Sequence, residues 1–407
     1  MVHARNVAGV LQGSDPAVAD QWIVVGAHHD HVGMFAGEGD TIFNGADDNA
    51  SGTSAVLELA RRFAQAPQRP RRTLVFVTFS AEEKGLYGSK ALLSGGALPR
   101  ERLAFMLNND MLGRNPERPI EAVGDGYTTG LRSRIETAAE GLGLSLQFAG
   151  DGYFGASDHE PFYEADVPFL FFFTGTHEDY HQVGDHADKI DFERLGKLVD
   201  LQERLLRQLA SADDAPRFIH HVSWLGAKAE IREASDGRER AVITGLDEGS
   251  RGDQQGLRQG DAVLAIGGKE LADPDGVGAA FRAIEPGTSA RMALLRDGRR
   301  VELDIERAKP GWLGVFPGAI EAEARKTLGL RDDEGLLLAN VVADGPAAKS
   351  GLKSGDVLVQ LAGKPVNQRL LSSRLAQIGA GVTVPASILR DGKPLEIPLT
   401  LGERPTR

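Results

Sequence analysis

The sequence predicts an α/β domain over its first half and two small, strand-rich β domains over its second. Three observations carry that prediction. Between residues 6 and 209, short apolar runs alternate with stretches of helical period, as strands threaded by helices do. Nearly every apolar run in this half ends shortly before a histidine or a carboxylate. Beyond residue 216 the chain repeats itself, at a spacing of roughly 90 residues, which suits a compact domain better than a solenoid unit.

The elements follow in order. Trp22-Ile23-Val24-Val25-Gly26-Ala27 is a strand-like run leading into His28. After the small-residue loop Gly45-Ala46-Asp47-Asp48-Asn49-Ala50-Ser51-Gly52, Val56, Leu59, Ala60 and Phe63 recur at helical spacing, so Asp48 is expected where a loop enters a helix. Residues 73–79 lead into Glu82-Glu83, residues 103–107 into Asp110, and residues 167–173 through a short loop to His181. Leu195, Leu198, Val199, Leu205, Leu206 and Leu209 predict a helix from Phe192, with Gln202 interrupting its apolar face. Arg69-Pro70-Arg71-Arg72 reads as a solvated basic loop. Ser211-Ala212-Asp213-Asp214-Ala215-Pro216 is polar, small and closed by proline, and reads as a linker. The expected domains are therefore 1–213, 217–309 and 310–404.

Composition narrows the partners. A net charge of -12 argues against nucleic acid or an anionic membrane as the main partner, because both need a basic surface. With no cysteine, the chain offers no disulfide, thiolate nucleophile or cysteine-ligated zinc. The sequence has no run of about 18 apolar residues, the length needed to span a bilayer. The start, Met1-Val2-His3-Ala4-Arg5-Asn6, lacks the charged and apolar regions of a readable signal peptide.

Two histidines and four carboxylates, all but Asp48 shortly beyond a strand-like run, point to metal-assisted hydrolysis, since open α/β sheets bind ligands outside the carboxyl ends of their strands. Asp48, in a tight loop of small residues, suits a bridge between two cations. Asp30 stands two residues beyond His28, where its carboxylate can orient the imidazole. In the Glu82-Glu83 pair, one carboxylate can bind metal while the other moves protons. His29, His31, His177 and His186 are expected in the pocket wall, behind the ligands or at the surface, and Met111, Tyr153, Phe154 and Phe172 are candidates for an apolar substrate pocket.

Residues 6–209 resemble the two-zinc aminopeptidases of clan MH, the leucyl-aminopeptidase-like family. The resemblance implies a mixed, mostly parallel sheet with helices on both faces. It implies one zinc on His28 and Asp110, another on Glu83 and His181, Asp48 as the bridge and Glu82 as general base. Cobalt or manganese are possible substitutes. Ser157-Asp158-His159 matches a recurrent segment of the family, structural or at the pocket wall, whereas Gln182-Val183 departs from its usual Thr-Pro. A carboxypeptidase or other two-zinc amidohydrolase of the same fold is an alternative, with Arg114 as the only cation at hand for a substrate carboxylate. A glutaminyl cyclase would use one metal where two ligand sets stand, and an inactive peptide-binding scaffold would not need Glu82.

In the second half, Trp224-Leu225-Gly226-Ala227 matches Trp312-Leu313-Gly314-Val315. Gly256-Leu257-Arg258-Gln259-Gly260-Asp261 matches Gly351-Leu352-Lys353-Ser354-Gly355-Asp356, and Arg296-Asp297-Gly298 matches Arg390-Asp391-Gly392, a hairpin-turn signal. These repeats resemble PDZ domains attached to bacterial periplasmic proteases. The resemblance implies capture of C-terminal peptide tails by strand addition. Leu225, Gly226 and Ala227 would form one carboxylate loop, and Leu313, Gly314 and Val315 the other. A rigid spacer without ligand is the alternative. The same resemblances imply an extracytoplasmic location.

Overall fold

The computed structural model describes residues 4–150, 157–318, 320, 322–331, 334–368 and 370–404. It contains two compact units, Met1–Ile219 and His220–Arg407.

The first unit runs β1 (Val7–Leu11), β2 (Trp22–His28), α1 (Gly52–Gln65), β3 (Thr73–Phe79), α2 (Tyr87–Ser94), β4 (Leu103–Asn109), β5 (Ile120–Val123), α3 (Leu131–Ala139), β6 (Leu146–Phe148), α4 (Glu160–Glu164), β7 (Phe169–Phe173) and α5 (Phe192–Ser211). The strand order is β1-β3-β2-β4-β7-β5-β6. The central pairs β3–β2, β2–β4 and β4–β7 are parallel, while β1 and β5 pair antiparallel with their neighbours β3 and β7. The mixed, mostly parallel sheet expected from the sequence is therefore present. Each central strand is buried on both faces, which is why these runs are apolar throughout rather than alternating. Ile23, Val25, Leu74, Phe76, Leu170 and Phe172 point into a core shared with α1, α3 and α5. Val24, Val75, Val77, Phe169 and Phe171 point into the opposite core, which holds Phe162 of α4 and borders Leu92 of α2.

Two sequence expectations are corrected here. Arg72 is not a solvated loop residue; it is fully buried. Its guanidinium donates to the Leu209, Ala212 and Asp213 carbonyls and to Gln21, so a cation caps the carbonyl end of α5. Sequence pattern marks such a residue only as charged. The linker also ends later than its composition suggests. Phe218 is buried against Tyr127 and Tyr163, and the Ile219 amide donates to the Tyr127 carbonyl at 2.8 Å, so the first unit extends to Ile219 rather than residue 213.

The second unit holds two β-modules. The first comprises β8 (His220–Val222), β9 (Ala227–Glu233), β10 (Glu239–Leu246), α6 (Arg251–Gln254), β11 (Ala262–Ile266), β12 (Lys269–Glu270), α7 (Val277–Arg282), β13 (Thr288–Arg296) and β14 (Arg299–Arg307). The second comprises β15 (Val315–Gly318), α8 (Ala322–Leu328), β16 (Leu336–Val341), α9 (Pro346–Lys349), β17 (Val357–Leu361), β18 (Lys364–Pro365), α10 (Leu371–Ile378), β19 (Thr383–Arg390) and β20 (Lys393–Thr400). From β9 to β14 the strand order reproduces that from β15 to β20. The repeated motifs are structural. Asp261 takes both Nε and Nη2 of Arg296 at 2.6 and 2.7 Å, and Asp356 takes the same atoms of Arg390 at 2.8 Å each. Each aspartate also accepts the main-chain N–H three residues before it at 2.8 Å, from Arg258 and Lys353. The Arg-Asp-Gly hairpin turn thus supplies the counter-ion for the buried aspartate of the Gly-Asp turn.

Candidate active site

The site lies at the carboxyl ends of β2, β3, β4 and β7. His28 is the last residue of β2 and is 1% exposed, whereas the next residue, His29, is turned to solvent. One residue of pleat separates the inward-facing imidazole from the outward-facing one. The His28 ring is fixed on its Nδ1 side by the Asp30 main-chain carbonyl at 3.0 Å. The Asp30 carboxylate does less for the ring than expected: it stands 3.9 Å from Nδ1 and instead accepts the Glu82 amide at 3.1 Å. Asp30 therefore ties the β2 end to the Glu82-Glu83 turn.

Asp48 is 3% exposed in the loop before α1. Its oxygens face in two directions. Oδ1 lies 3.3 Å from His28 Nε2, which is also 3.4 Å from Asp110 Oδ1. Oδ2 lies 3.2 Å from His181 Nε2, which is also 3.1 Å from Glu83 Oε2. Residues from four different strand ends thus converge on one carboxylate. Glu82 lines the same pocket, with Met111, Phe171, Phe173 and Tyr180 as further walls.

The surroundings hold these groups in place. Asp185, fully buried, accepts the amides of Asp47 and Asp48 at 3.0–3.1 Å. Ser157 donates to Asp110 Oδ2 at 2.7 Å and accepts from Asn108 at 2.8 Å, which places the Ser-Asp-His segment behind Asp110. His177 approaches Asp47 at 3.2 Å, and Tyr180 stacks on His181 with ring centroids 3.9 Å apart. His31 is closer to the centre than a flanking residue need be. Its Nδ1 meets Glu83 Oε1 at 2.9 Å and stands 3.7 Å from Asp48 Oδ2, so His31, Asp48 and Glu83 form a second compact trio beside His28, Asp48 and Asp110. Asp185 carries no local sequence signal; only the fold brings it beneath the Asp48 loop.

The electrostatics are those of crowded buried anions. Burial pushes the Glu82 carboxyl up to about 8 against the pull of His28, with Asp110 adding to the push. Burial also raises Asp48, although its hydrogen bond to His28 opposes the shift. His28 is held well above its ordinary value because Asp110 and Asp48 outweigh its burial. Asp48 Oδ2 and Asp110 Oδ1 are buried without a hydrogen-bond donor. Imidazole nitrogens and carboxylate oxygens with unfilled lone pairs turned to a common centre fit a zinc-type cation.

Of the substrate-pocket candidates, Met111 lines the pocket. Phe172 does not: in a strand of period two it points to the opposite core, and Phe171 and Phe173 line the pocket in its place. Tyr153 and Phe154 lie outside the described residues. In the second unit the loop Leu225-Gly226-Ala227 is closed by its own chain. The Leu225 and Gly226 amides donate to the Val222 carbonyl at 2.9 Å and Ala227 pairs with Val222, which corrects its reading as an open carboxylate loop.

Residues 6–206 match Peptidase family M28, and residues 320–401 match the PDZ domain. The chain carries an M28 peptidase domain followed by a PDZ domain. Aminopeptidase YwaD of Bacillus subtilis (strain 168) is 32% identical over 228 residues, covering 53% of this chain and 47% of that protein. Periplasmic pH-dependent serine endoprotease DegQ of Escherichia coli (strain K12) is 33% identical over 141 residues, covering 34% of this chain and 28% of that protein. The solved aminopeptidase from Aneurinibacillus sp. strain AM-1 is 29% identical with a TM-score of 0.44, over 52% of this chain and 49% of that one. The chain thus spans about half or less of the length of these relatives. Among the described residues, no helix of the M28 domain or of the β-modules is long and apolar enough to cross a membrane.

Proposed function

We propose that the chain is a zinc aminopeptidase that removes residues from the free amino termini of peptides at a two-metal site. The observation that carries this reading is the divided Asp48 carboxylate, one oxygen toward His28 and Asp110 and the other toward His181 and Glu83. His28, Asp48 and Asp110 would hold one zinc, and Asp48, Glu83 and His181 the other. His31, bonded to the remaining Glu83 oxygen, would keep that carboxylate turned toward its metal. Cobalt or manganese suit the same donors. When bound, such a pair polarises the peptide carbonyl and acidifies a water.

Glu82 is the group left to move the proton. Its main chain is pinned by Asp30 and its side chain borders the pocket, so it is placed to accept the water's proton and return it to the leaving amine. Met111, Phe171 and Phe173 would receive an apolar terminal side chain. The name of the Bacillus subtilis relative supports the same activity. We read the first β-module as a second PDZ domain on its matching strand order and Asp–Arg pair. The modules would bind peptide tails, and the likeness to a periplasmic protease supports an extracytoplasmic location. A carboxypeptidase would need a cation for the substrate's carboxylate, and Arg114 is already committed to Asp179 at 3.0 Å.

The deciding experiment compares a short peptide with its amino-terminally acetylated twin, using zinc-loaded protein. Cleavage of the free amine alone is expected. Equal cleavage of both sinks the aminopeptidase reading in favour of an endo- or carboxypeptidase.

A further inference from the structure

The two β-modules are alike enough for their grooves to be compared atom by atom. Leu225 O accepts from Gly252 N at 2.8 Å, and its counterpart Leu313 O from Ala347 N at 2.9 Å. Gly226 O accepts from Asp247 N, and Gly314 O from Val342 N, at 2.8 Å each. The two loops therefore have the same carbonyl side. They differ in their amides and in the strand edge beside them.

In the first module β8 lies antiparallel along β9, with His220 opposite Ala229, His221 opposite Lys228 and Val222 opposite Ala227. Its other side rests on α7. Val222 is buried in one cluster with Leu225, Val277 and Phe281, and its carbonyl takes both loop amides. This is the arrangement that strand addition gives an external peptide: ladder bonds to a sheet edge, a side chain in an apolar recess, and the last oxygen on loop amides. In the second module the corresponding segment runs elsewhere, because Trp312 pairs with Gly402 through bonds of 2.8 and 3.0 Å. β15 is left at the edge of its sheet. Among the described residues no acceptor takes the Leu313 or Gly314 amide. Val315 of β15 and Leu375 of α10 remain only partly buried in that module.

We infer that the first module is occupied by its own His220–Val222 strand, and that peptide tails are captured by the second module alone. The inference rests on the reading of the modules as tail binders. The built-in strand also specifies the ligand. The matching groove takes an extended peptide antiparallel to β15, ending in a free carboxylate and a side chain of about the size of valine, as Val222 has. An outside peptide cannot readily replace β8, since a tethered strand competes at an effective concentration of about millimolar.

The test uses the full chain and a peptide of about ten residues ending in valine, together with its carboxyl-amidated twin. Calorimetry gives the stoichiometry, and hydrogen exchange locates the site. One peptide per chain is expected, with new protection over residues 312–318 and 371–378 and none over 220–233, where exchange is already slow. The amidated twin should bind at least about tenfold more weakly, having lost the charge on the loop amides. Two peptides per chain, or new protection over 220–233, overturns the assignment of β8 while leaving tail binding intact. Equal affinity of the twin overturns the role of the Leu313 and Gly314 amides. No binding at either module removes the tail-binding reading and this inference together.

Discussion

Buried carboxylates in the β-modules and in the M28 domain are surrounded in opposite ways. Asp261 and Asp356 are 1% and 2% exposed, and each meets a two-point guanidinium and a main-chain amide. Asp48 and Asp110 are 3% and 8% exposed, and each keeps an oxygen without a donor while Glu82 and Glu83 crowd the same pocket. Among the described residues no lysine or arginine lines that pocket. An unpaired buried carboxylate costs several kcal/mol, and in this cluster the countercharge within the chain comes from histidines such as His28, which Asp110 and Asp48 hold well above its ordinary value. The contrast separates the two kinds of aspartate: those that find a guanidinium within the fold hold turns together, and those without one fit the metal site proposed above.

The largest effect expected from this contrast is at Glu82, which shares the crowded pocket with His28 and His181. Glu82→Gln should lower turnover by about 10²–10⁴-fold, the range for a lost general base, with zinc content and melting temperature unchanged. Near-normal turnover would mean that Glu82 is merely another buried acid, and the division of roles within the Glu82-Glu83 pair would fail.

A smaller effect should change sign between the two regions. Asp261→Asn and Asp356→Asn leave a guanidinium facing a neutral amide, costing about 3 kcal/mol, the lower end for a broken buried pair, because Arg296 and Arg390 are 17% and 26% exposed. Asp48→Asn acts the other way in metal-free protein. Burial and repulsion from Asp110 and Glu83 raise the Asp48 carboxyl, so the neutral amide should stabilise that form slightly. With zinc present the same change should weaken metal binding and lower the melting temperature. Thermal unfolding with and without a chelator reads all of these; equal losses at Asp48 and Asp261 in chelator would break the comparison.

What could be read in the sequence follows the same line. His28, Glu82-Glu83, Asp110 and His181 stand beyond apolar runs, and strand geometry carries them to one sheet edge, where the loop before α1 brings Asp48 to meet them. The repeated Gly-Asp and Arg-Asp-Gly motifs announced two modules but not that one answers the other as an ion pair. Residues whose role depends on distant partners escaped. Asp185 acts through the amides of a loop far earlier in the chain, Arg72 through the end of α5, and Phe171 and Phe173 through a strand phase that an all-phenylalanine run conceals. The closed loop at Leu225 escaped for the same reason, since its motif matches that at Leu313 and only the path of the preceding strand distinguishes them.

The smallest expected effect lies at the boundary between the two regions. A chain ending at residue 215 keeps every residue of the metal centre but loses Phe218, whose ring is 6% exposed against Tyr127 and Tyr163. Burying a phenylalanine contributes about 2 kcal/mol, so this chain should melt below one ending at Ile219. Turnover of a short substrate well below the melting transition should be the same for both, because Phe218 belongs to the core beneath the sheet and not to the pocket. Equal melting temperatures would return the boundary to the linker at 211–216 and make Phe218 a passive neighbour. A loss of turnover at equal folding would instead tie the end of the M28 domain to its active site.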